Sequence, residues 1–338
     1  MTVPNKELLP GISVIICCYN SAWIIARCLD ALKRQTIQSG FHWEIILVDN
    51  NCTDDTVQIA TSIMNGSSID FRIVKESEAG LAYARVRGVT EAKYEYIVFC
   101  DDDNLLCPLY LSTAYAILEA HPEIGAVGGK GVAEFECEPD PRILSKIEGY
   151  AVGSQISHKN WLFGAGMTLR THLVQDIYTN QKRYLVGRKG GELLSGDDSE
   201  LAYSVVLRGY KTFPTDDISY IHVLRTNRLT WAYCTRMYSG FSKADGALMI
   251  MRLVLEDGRF GEFIRQYLNH CIKFVKCGLM FWRSKSKEGR EKCRQWIANV
   301  NYWGIVKLYS IYREWTCIKQ HYASGFGKDE SNGAIRSN

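Results

Sequence analysis

Residues 12–18, Ile-Ser-Val-Ile-Ile-Cys-Cys, form a near-continuous apolar run. A strand that is apolar at successive rather than alternate positions is covered on both faces, as in a parallel sheet. Tyr19-Asn20-Ser21 follows, and Asn20 or Ser21 suits a helix cap. Ile25, Cys28, Leu29 and Leu32 then recur at the spacing of one helix face, predicting a helix that ends near Thr36. The unit repeats as strand Glu44–Val48, acidic turn Asp49–Thr56, a helix through Met64, strand Phe71–Lys75, helix Ala82–Glu91 and strand Tyr96–Cys100. Strand–helix alternation at about 25–30 residues per unit predicts a doubly wound α/β layer. Functional loops in such a layer lie at the carboxyl ends of the strands. Here these are Tyr19-Asn20, Asp49-Asn50-Asn51 and Asp101-Asp102-Asp103-Asn104.

From about 125 to 225 the pattern loosens. Ala126–Gly129, Leu162–Leu169 and Thr212–Pro214 are short apolar stretches between glycine-containing turns, with a strand expected at Met167–Arg170. Ser199–Leu207 reads as a helix stopped by Arg208-Gly209. Residues from about 229 to 320 read as helical and rich in Trp and Tyr, and 321–338 as a loose tail.

Composition narrows the class. The 338 residues are 46% hydrophobic and 23% charged, enough for a sizeable core in two domains or one enlarged α/β domain. With 28 Gly and 7 Pro the chain is neither collagenous nor disordered, and no uninterrupted apolar run reaches the ~18–20 residues of a membrane span. The net charge of +3 hides an asymmetry: residues 1–250 carry 24 Lys and Arg against 29 Asp and Glu, whereas residues 251–320 carry 14 against 6. A uniformly basic nucleic-acid binder is thereby excluded, and no nucleic-acid partner is expected. The basic C-terminal region reads equally as solvated helix faces or as a surface for an anionic partner. None of the 12 Cys forms a Cys-x-x-Cys pair, and Cys17, Cys18, Cys28 and Cys100 fall in apolar patterns as small buried hydrophobes. With no apolar leader in Met1–Pro10, the expected compartment is the cytoplasm.

Asp101-Asp102-Asp103 is the sharpest chemical feature. Three adjacent carboxylates repel one another unless water or a cation separates their charge. They follow an apolar strand and so stand on a rigid support, where a hard divalent cation, Mn²⁺ or Mg²⁺, is the natural partner. None of the three loops is the glycine-rich loop of a dehydrogenase or P-loop ATPase. Gly164-Ala165-Gly166 lacks the third glycine of a dinucleotide fingerprint.

Several motifs in order resemble the inverting glycosyltransferases of family 2, with the GT-A fold, over about residues 11–235. Val14–Asn20 resembles the opening strand and its Pro-x-Tyr-Asn ending, with Cys17 at the proline position. Val48–Thr56 resembles Val-Asp-(Asp/Asn)-x-Ser-x-Asp-x-Thr, with Cys52 for Ser. Glu78–Gly88 resembles Asn-x-Gly-x-x-x-Ala-Arg-Asn-x-Gly, Asp101–Asp103 matches Asp-x-Asp, and Gly196–Leu201 resembles Gly-Glu-Asp-x-(Glu/Asp)-Leu.

The resemblance implies a mixed, mainly parallel sheet flanked by helices with a C-terminal helical extension. It divides the chain into a catalytic domain at 1–235 (nucleotide-binding half about 11–104, acceptor-binding half about 105–235), a helical region at 236–320 and a flexible tail at 321–338. It places Tyr19, Asn20, Asp49, Arg85 and Asp102 among the residues that bind the nucleotide sugar, Asp101 toward ribose or metal, Asp103 and His222 on the metal, and Asp198 as general base. Arg85 also reads as a surface helix charge, His222 as a polar strand-end residue and Asp197-Asp198 as a helix cap.

The implied donor is a nucleotide-diphosphate sugar, UDP-linked, and the acceptor a saccharide or lipid-linked saccharide in surface polysaccharide assembly. Loss of the nucleoside diphosphate builds negative charge that a cation stabilises. The acceptor hydroxyl must lose its proton to a positioned carboxylate as it attacks. Asp198 opens a helix, whose dipole is expected to favour its charge. Trp161 and Phe163 are named for the acceptor wall, and equally for core. Phe274, Val275, Leu279, Met280, Phe281 and Trp282, interleaved and followed by Lys and Arg, suggest peripheral contact with an anionic membrane at the inner face of the cell membrane. The Gln-x-x-Arg-Trp element of processive synthases is absent, so single-sugar addition is expected. Two rivals remain: a non-catalytic nucleotide-sugar-binding protein, and a sugar-nucleotide nucleotidyltransferase, which would want a basic, Gly-rich loop after the first strand.

Overall fold

The computed structural model describes residues 7–37, 40–185, 187, 195–280 and 287–324, without the side chains of 273–280 and 287–293. It separates into two compact units, one comprising residues 1–206 and 210–238 and the other residues 207–209 and 239–338.

The first unit opens with β1 (Leu9–Cys18), α1 (Ile25–Lys33), β2 (Trp43–Asp49), α2 (Thr56–Met64), β3 (Asp70–Lys75), α3 (Leu81–Glu91) and β4 (Tyr94–Asp101). It continues with β5 (Asn104–Leu106), α4 (Tyr110–Ala120), β6 (Ile124–Phe135), α5 (Pro141–Leu144), β7 (Thr168–Arg170), α6 (Thr171–Asn180), α7 (Asp197–Leu207) and β8 (Lys211–Leu224). These strands form one sheet in the order β3-β2-β1-β4-β7-β6-β8-β5. The first four are parallel, β7 runs antiparallel to both its neighbours, β6 and β8 are parallel, and β5 is antiparallel to β8.

The apolar run of β1 splits between two layers. Ile12, Val14, Ile16 and Cys18 pack with Cys28, Leu29 and Leu32 of α1 and Tyr110, Leu111, Ala114 and Leu118 of α4. Ile15 faces the other way, toward Ala84 and Val89 of α3, Val174 and Ile177 of α6, and Leu201 and Val205 of α7. Period-two alternation thus buries both faces of a strand with no polar face to spare.

Register sets the functional edge. Cys18 pairs with Asp49 and Cys17 with Asp101, so the carboxyl ends of β1, β2 and β4 finish side by side. Antiparallel pairing of β5 with β8 sets Asn104 opposite His222. His222 is therefore inside a strand of 14 residues and not at its end. The Thr212–Pro214 stretch is the start of this strand, and Ala126–Gly129 belongs to the 12-residue β6. Of Leu162–Leu169, only the end enters a strand, the three-residue β7.

The second unit is helical, as its sequence suggests: α8 (Trp231–Leu255), most of which it contains, α9 (Phe260–Met280), α10 (Lys287–Trp303) and α11 (Ile305–Ala323). Ala247, Ile250, Met251, Phe263, Val300, Trp303, Leu308, Ile311 and Trp315 are buried. Lys319 Nζ donates to the carbonyls of Val254 and Leu255, satisfying the end of α8. The apolar-basic stretch around 274–292 has no described side chains, and of the expected tail residues 325–338 lie outside the described residues. No described helix is long and apolar enough to cross a membrane.

Candidate functional site

The first two loops are tied to each other by side chains. Asn20 adopts φ +56° and accepts from Thr53 N–H at 2.7 Å. Asp49 Oδ1 accepts from Cys52 N–H at 2.8 Å, closing the turn after β2. Asp54 accepts from Ala22 N–H at 3.0 Å and from the Thr56 backbone, while Thr56 Oγ1 accepts from Ser21 N–H. Asn50 extends the lattice: its amide donates to the carbonyls of Glu76 and Glu78, and its oxygen accepts from Gly80 N–H at the start of α3. Tyr19 is 65% exposed at this edge.

Arg85 is the centre of the site. It is buried in α3, which removes the surface-charge reading. Its Nη1 donates to Asp197 Oδ2 at 2.6 Å, its Nη2 lies 4.0 Å from Asp101 Oδ1, and its guanidinium sits over the Phe99 ring. Burial works against the Arg85 charge, but Asp197 and Asp101 outweigh it and hold the cation firmly. One guanidinium therefore joins acidic groups almost a hundred residues apart in sequence.

Asp198 lies beside this pair at the start of α7. Its Oδ2 accepts from Gly164 N–H at 3.1 Å and its Oδ1 from Ser199 N–H at 2.8 Å. A Cβ on Gly164 would stand 3.0 Å from Arg85 Nη2 and 3.1 Å from Asp198 Cβ, so the site closes around a residue without a side chain. Burial, then the Asp197 charge, push the Asp198 carboxyl up to about 6 despite Arg85 and the two N–H donors. The helix start was expected to favour the ionised form; desolvation and a like charge prevail instead. Asp197, read from sequence as a helix cap, is the Arg85 partner.

The Asp triplet divides its work. Asp102 accepts a short hydrogen bond from Ser21 Oγ, and burial with the Asp103 and Asp101 charges raises its carboxyl to about 7. Asp103 is 3% exposed; its Oδ2 accepts from Arg228 Nη1 at 2.8 Å, and its Oδ1 lies 3.5 Å from His222 Nε2. His222 Nδ1 sits 2.6 Å from the Tyr150 carbonyl. A carbonyl only accepts, so that nitrogen carries the proton in the neutral ring and Nε2 presents a lone pair. Nε2 is buried with no hydrogen-bond donor beside it, facing a carboxylate oxygen. Asp103 Oδ1 also accepts from Asn104 Nδ2 at 3.3 Å; with the ring in its neutral form, this carboxylate and the imidazole nitrogen are a donor pair that suits a divalent cation. Among the described residues no group of three or more His, Cys, Asp or Glu side chains is arranged to hold a metal. Water and phosphate oxygens would have to complete the shell, as Mg²⁺ and Mn²⁺ commonly allow.

Arg85 thus links Asp101, first of the triplet whose Asp103 lies beside His222, to Asp197, the neighbour of Asp198. The buried Tyr220 hydroxyl feels the charges of Asp101, Asp198 and Asp103 together. Tyr19, Asn20 and Asp49 lie along the same strand edge. Sequence reasoning missed Arg228, Ser21 and the part played by Gly164. Arg228 follows β8 in a short helical turn, Thr226–Arg228, with no local motif to mark it. Of the two aromatics, Phe163 is buried, while Trp161 is partly exposed and stacks on His158 at 3.7 Å.

Residues 13–170 match the model of the family described as Glycosyl transferase family 2. Glycosyltransferase GlyG of Streptococcus pneumoniae is 32% identical over 104 residues, which are 31% of this chain and 34% of GlyG. Poly(ribitol-phosphate) beta-N-acetylglucosaminyltransferase TarS of Staphylococcus aureus is 22% identical over 304 residues, covering 84% of this chain and 48% of TarS. The chain spans about a third of the first relative and about half of the second. Among solved structures, S. aureus TarS 1–349 with UDP-GlcNAc superposes with a TM-score of 0.56 at 16% identity, covering 93% of this chain and 92% of that one. The mannosyltransferase PcManGT of Pyrobaculum calidifontis, with GDP-Man and Mn²⁺, gives 0.51 at 16% identity, covering 98% and 91%. The fold is that of the GT-A glycosyltransferases.

Proposed function

From the glycosyltransferase family 2 domain that residues 13–170 form, we propose that this protein transfers a sugar, with inversion, from a UDP-linked donor to a hydroxyl of a saccharide or lipid-linked saccharide. The observation that carries the proposal is the Arg85 bridge from Asp101, at the acidic strand end, to Asp197, the residue next to Asp198. A base and a leaving-group site are thereby set in one site, as a single displacement requires.

The exposed Tyr19 ring, the Asn20 turn and Asp49 receive the nucleoside, with Asp49 accepting from the base. Asp101 and Asp102 face the ribose and diphosphate. Asp103 and His222 would hold Mn²⁺ or Mg²⁺, which when bound neutralises charge growing on the departing diphosphate. Gly164 N–H orients the Asp198 carboxylate, and Asp198 takes the acceptor proton as the new glycosidic bond forms. A carboxyl held near 6 is a stronger base than an ordinary aspartate yet still ionised at neutral pH. The rival nucleotidyltransferase finds no basic glycine-rich loop after β1, where the chain reads Tyr19-Asn20-Ser21.

The C-terminal unit is proposed to rest on an anionic membrane surface. Support comes from the basic surplus of residues 251–320 and from exposed Tyr302, Val306 and Tyr309, with Val306 at 82%.

Incubation with Mn²⁺, a panel of nucleotide sugars and saccharide acceptors tests the reaction. UDP release with a product of opposite anomeric configuration is expected, and chelation or Asp103→Ala should abolish metal-dependent donor binding. A product that retains configuration overturns inversion; no UDP release across the panel favours a binding protein.

A further inference from the structure

Arg228 has no role in the proposed reaction, yet it makes a close side-chain contact to the buried Asp103. Its Nη1 donates to Asp103 Oδ2 at 2.8 Å, while Asp103 Oδ1 accepts from Asn104 Nδ2 at 3.3 Å and lies 3.5 Å from His222 Nε2. Asp103 is 5% exposed at its side chain and Arg228 is 25% exposed. The pair is therefore anchored at the acid and open at the base. Burial disfavours the Arg228 charge, but Asp103, and beyond it Asp102 and Asp101, outweigh that cost and keep the guanidinium cationic. The residue sits in a three-residue turn just after β8, placed by the strand that carries His222.

The charge balance makes this contact provisional. Three adjacent carboxylates need counter-charge whether or not a divalent cation is present. When such a cation takes Asp103, the carboxylate no longer needs a guanidinium, and two extra positive charges arrive on the same group. Arg228 is then repelled from Asp103 at the moment a diphosphate, rich in acceptor oxygens, lies against the same strand ends. A planar guanidinium matches phosphate oxygens as well as it matches a carboxylate.

We infer that Arg228 is an exchangeable counter-ion, neutralising Asp103 when no metal is bound and turning to the donor diphosphate when a divalent cation displaces it. The inference rests on the proposed nucleotide-sugar site and adds to it a second cation on the leaving group. It also states a competition: the metal must displace Arg228 to reach Asp103, and by linkage Arg228 weakens metal binding in the absence of nucleotide.

Calorimetric titration of the full chain tests this with three probes: Mn²⁺ alone, UDP in saturating Mn²⁺, and uridine in saturating Mn²⁺. Wild type is compared with Arg228→Gln and Arg228→Lys. In Arg228→Gln, Mn²⁺ alone should bind several-fold more tightly, because its competitor is gone. UDP should bind about tenfold or more weakly, the size expected for a charged hydrogen bond. Uridine, which has no phosphate, should bind as to wild type. Arg228→Lys should recover part of the UDP affinity, since it keeps the charge and loses the fork. Unchanged or weaker Mn²⁺ binding in Arg228→Gln overturns the exchange, as does unchanged UDP binding. Equal weakening of uridine and UDP also overturns it, by showing a general loss of the site. If wild type binds neither Mn²⁺ nor UDP, the nucleotide-sugar reading itself fails, and this inference with it.

Discussion

Asp198 gains a proton more readily than an exposed aspartate because burial and Asp197 both disfavour its charge, more than Arg85 and two N–H donors favour it. In the proposed reaction the carboxylate is the base, so activity depends on deprotonation, and a pKa raised to about 6 moves the acid limb up from the ordinary range near 3.8. We expect kcat to fall tenfold per pH unit below about 6 and to level off above it; a profile flat down to pH 4.5 would remove Asp198 from the role. At this scale the sequence was legible where a motif stays local. Asp49 and the Asp triplet are read from adjacent residues. The Arg85–Asp197 pair spans 112 positions, and a helix-opening aspartate carries no sign that its partner is a buried arginine on another helix. Arg228 was hidden for the same reason.

Elements were most legible where both faces of a strand are buried. The run from Ile12 to Cys18 cannot be anything but covered, and β1 lies at the heart of the sheet between β2 and β4. The long β6 and β8 were read only as fragments, because β6 contains Gly125, Gly128, Gly129 and Gly131, and β8 contains Pro214 and polar residues at its exposed start. Those glycines answer to tertiary packing: a Cβ on Gly131 would lie 2.1 Å from the Ala151 carbonyl oxygen. A comparable close approach sets α3 on β1. A Cβ on Gly88 would meet Ile15 Cγ2 at 2.3 Å, so Gly88→Ala should lower stability by about 1–3 kcal/mol through overpacking. Chemical denaturation measures this, and Ile15→Ala in the same chain should recover part of the loss. Because α3 carries Arg85, donor affinity should fall with it. A fully stable Gly88→Ala protein would show that the helix is not held this closely.

For the whole molecule, the register of parallel strands does what no single element can. It brings three loop ends to one edge, and β8 returns antiparallel to β5 so that His222 meets the Asp triplet. The helical C-terminal unit was readable in kind, from its aromatic-rich periodicity, but its proposed contact depends on which side chains reach solvent. Full-length protein should float with vesicles containing anionic lipid and not with neutral ones, and Val306→Glu with Tyr309→Glu should reduce flotation. Equal flotation with both vesicle types would rule out an electrostatic contact. Removing the divalent cation should leave the fold intact, since the proposed cation-binding pair stands on β8 and on the tight turn between β4 and β5, and Asp103 is already balanced by Arg228.

The central claim is that one carboxylate, held beside a donor site but not part of it, removes the acceptor proton. Asp198→Asn keeps shape and hydrogen-bonding reach while abolishing the base, so its transfer rate at saturating donor and acceptor, measured together with donor affinity, is the most direct test. The account predicts donor binding within about twofold of wild type and transfer reduced by about 10²–10⁴-fold. Transfer at close to the wild-type rate would contradict it.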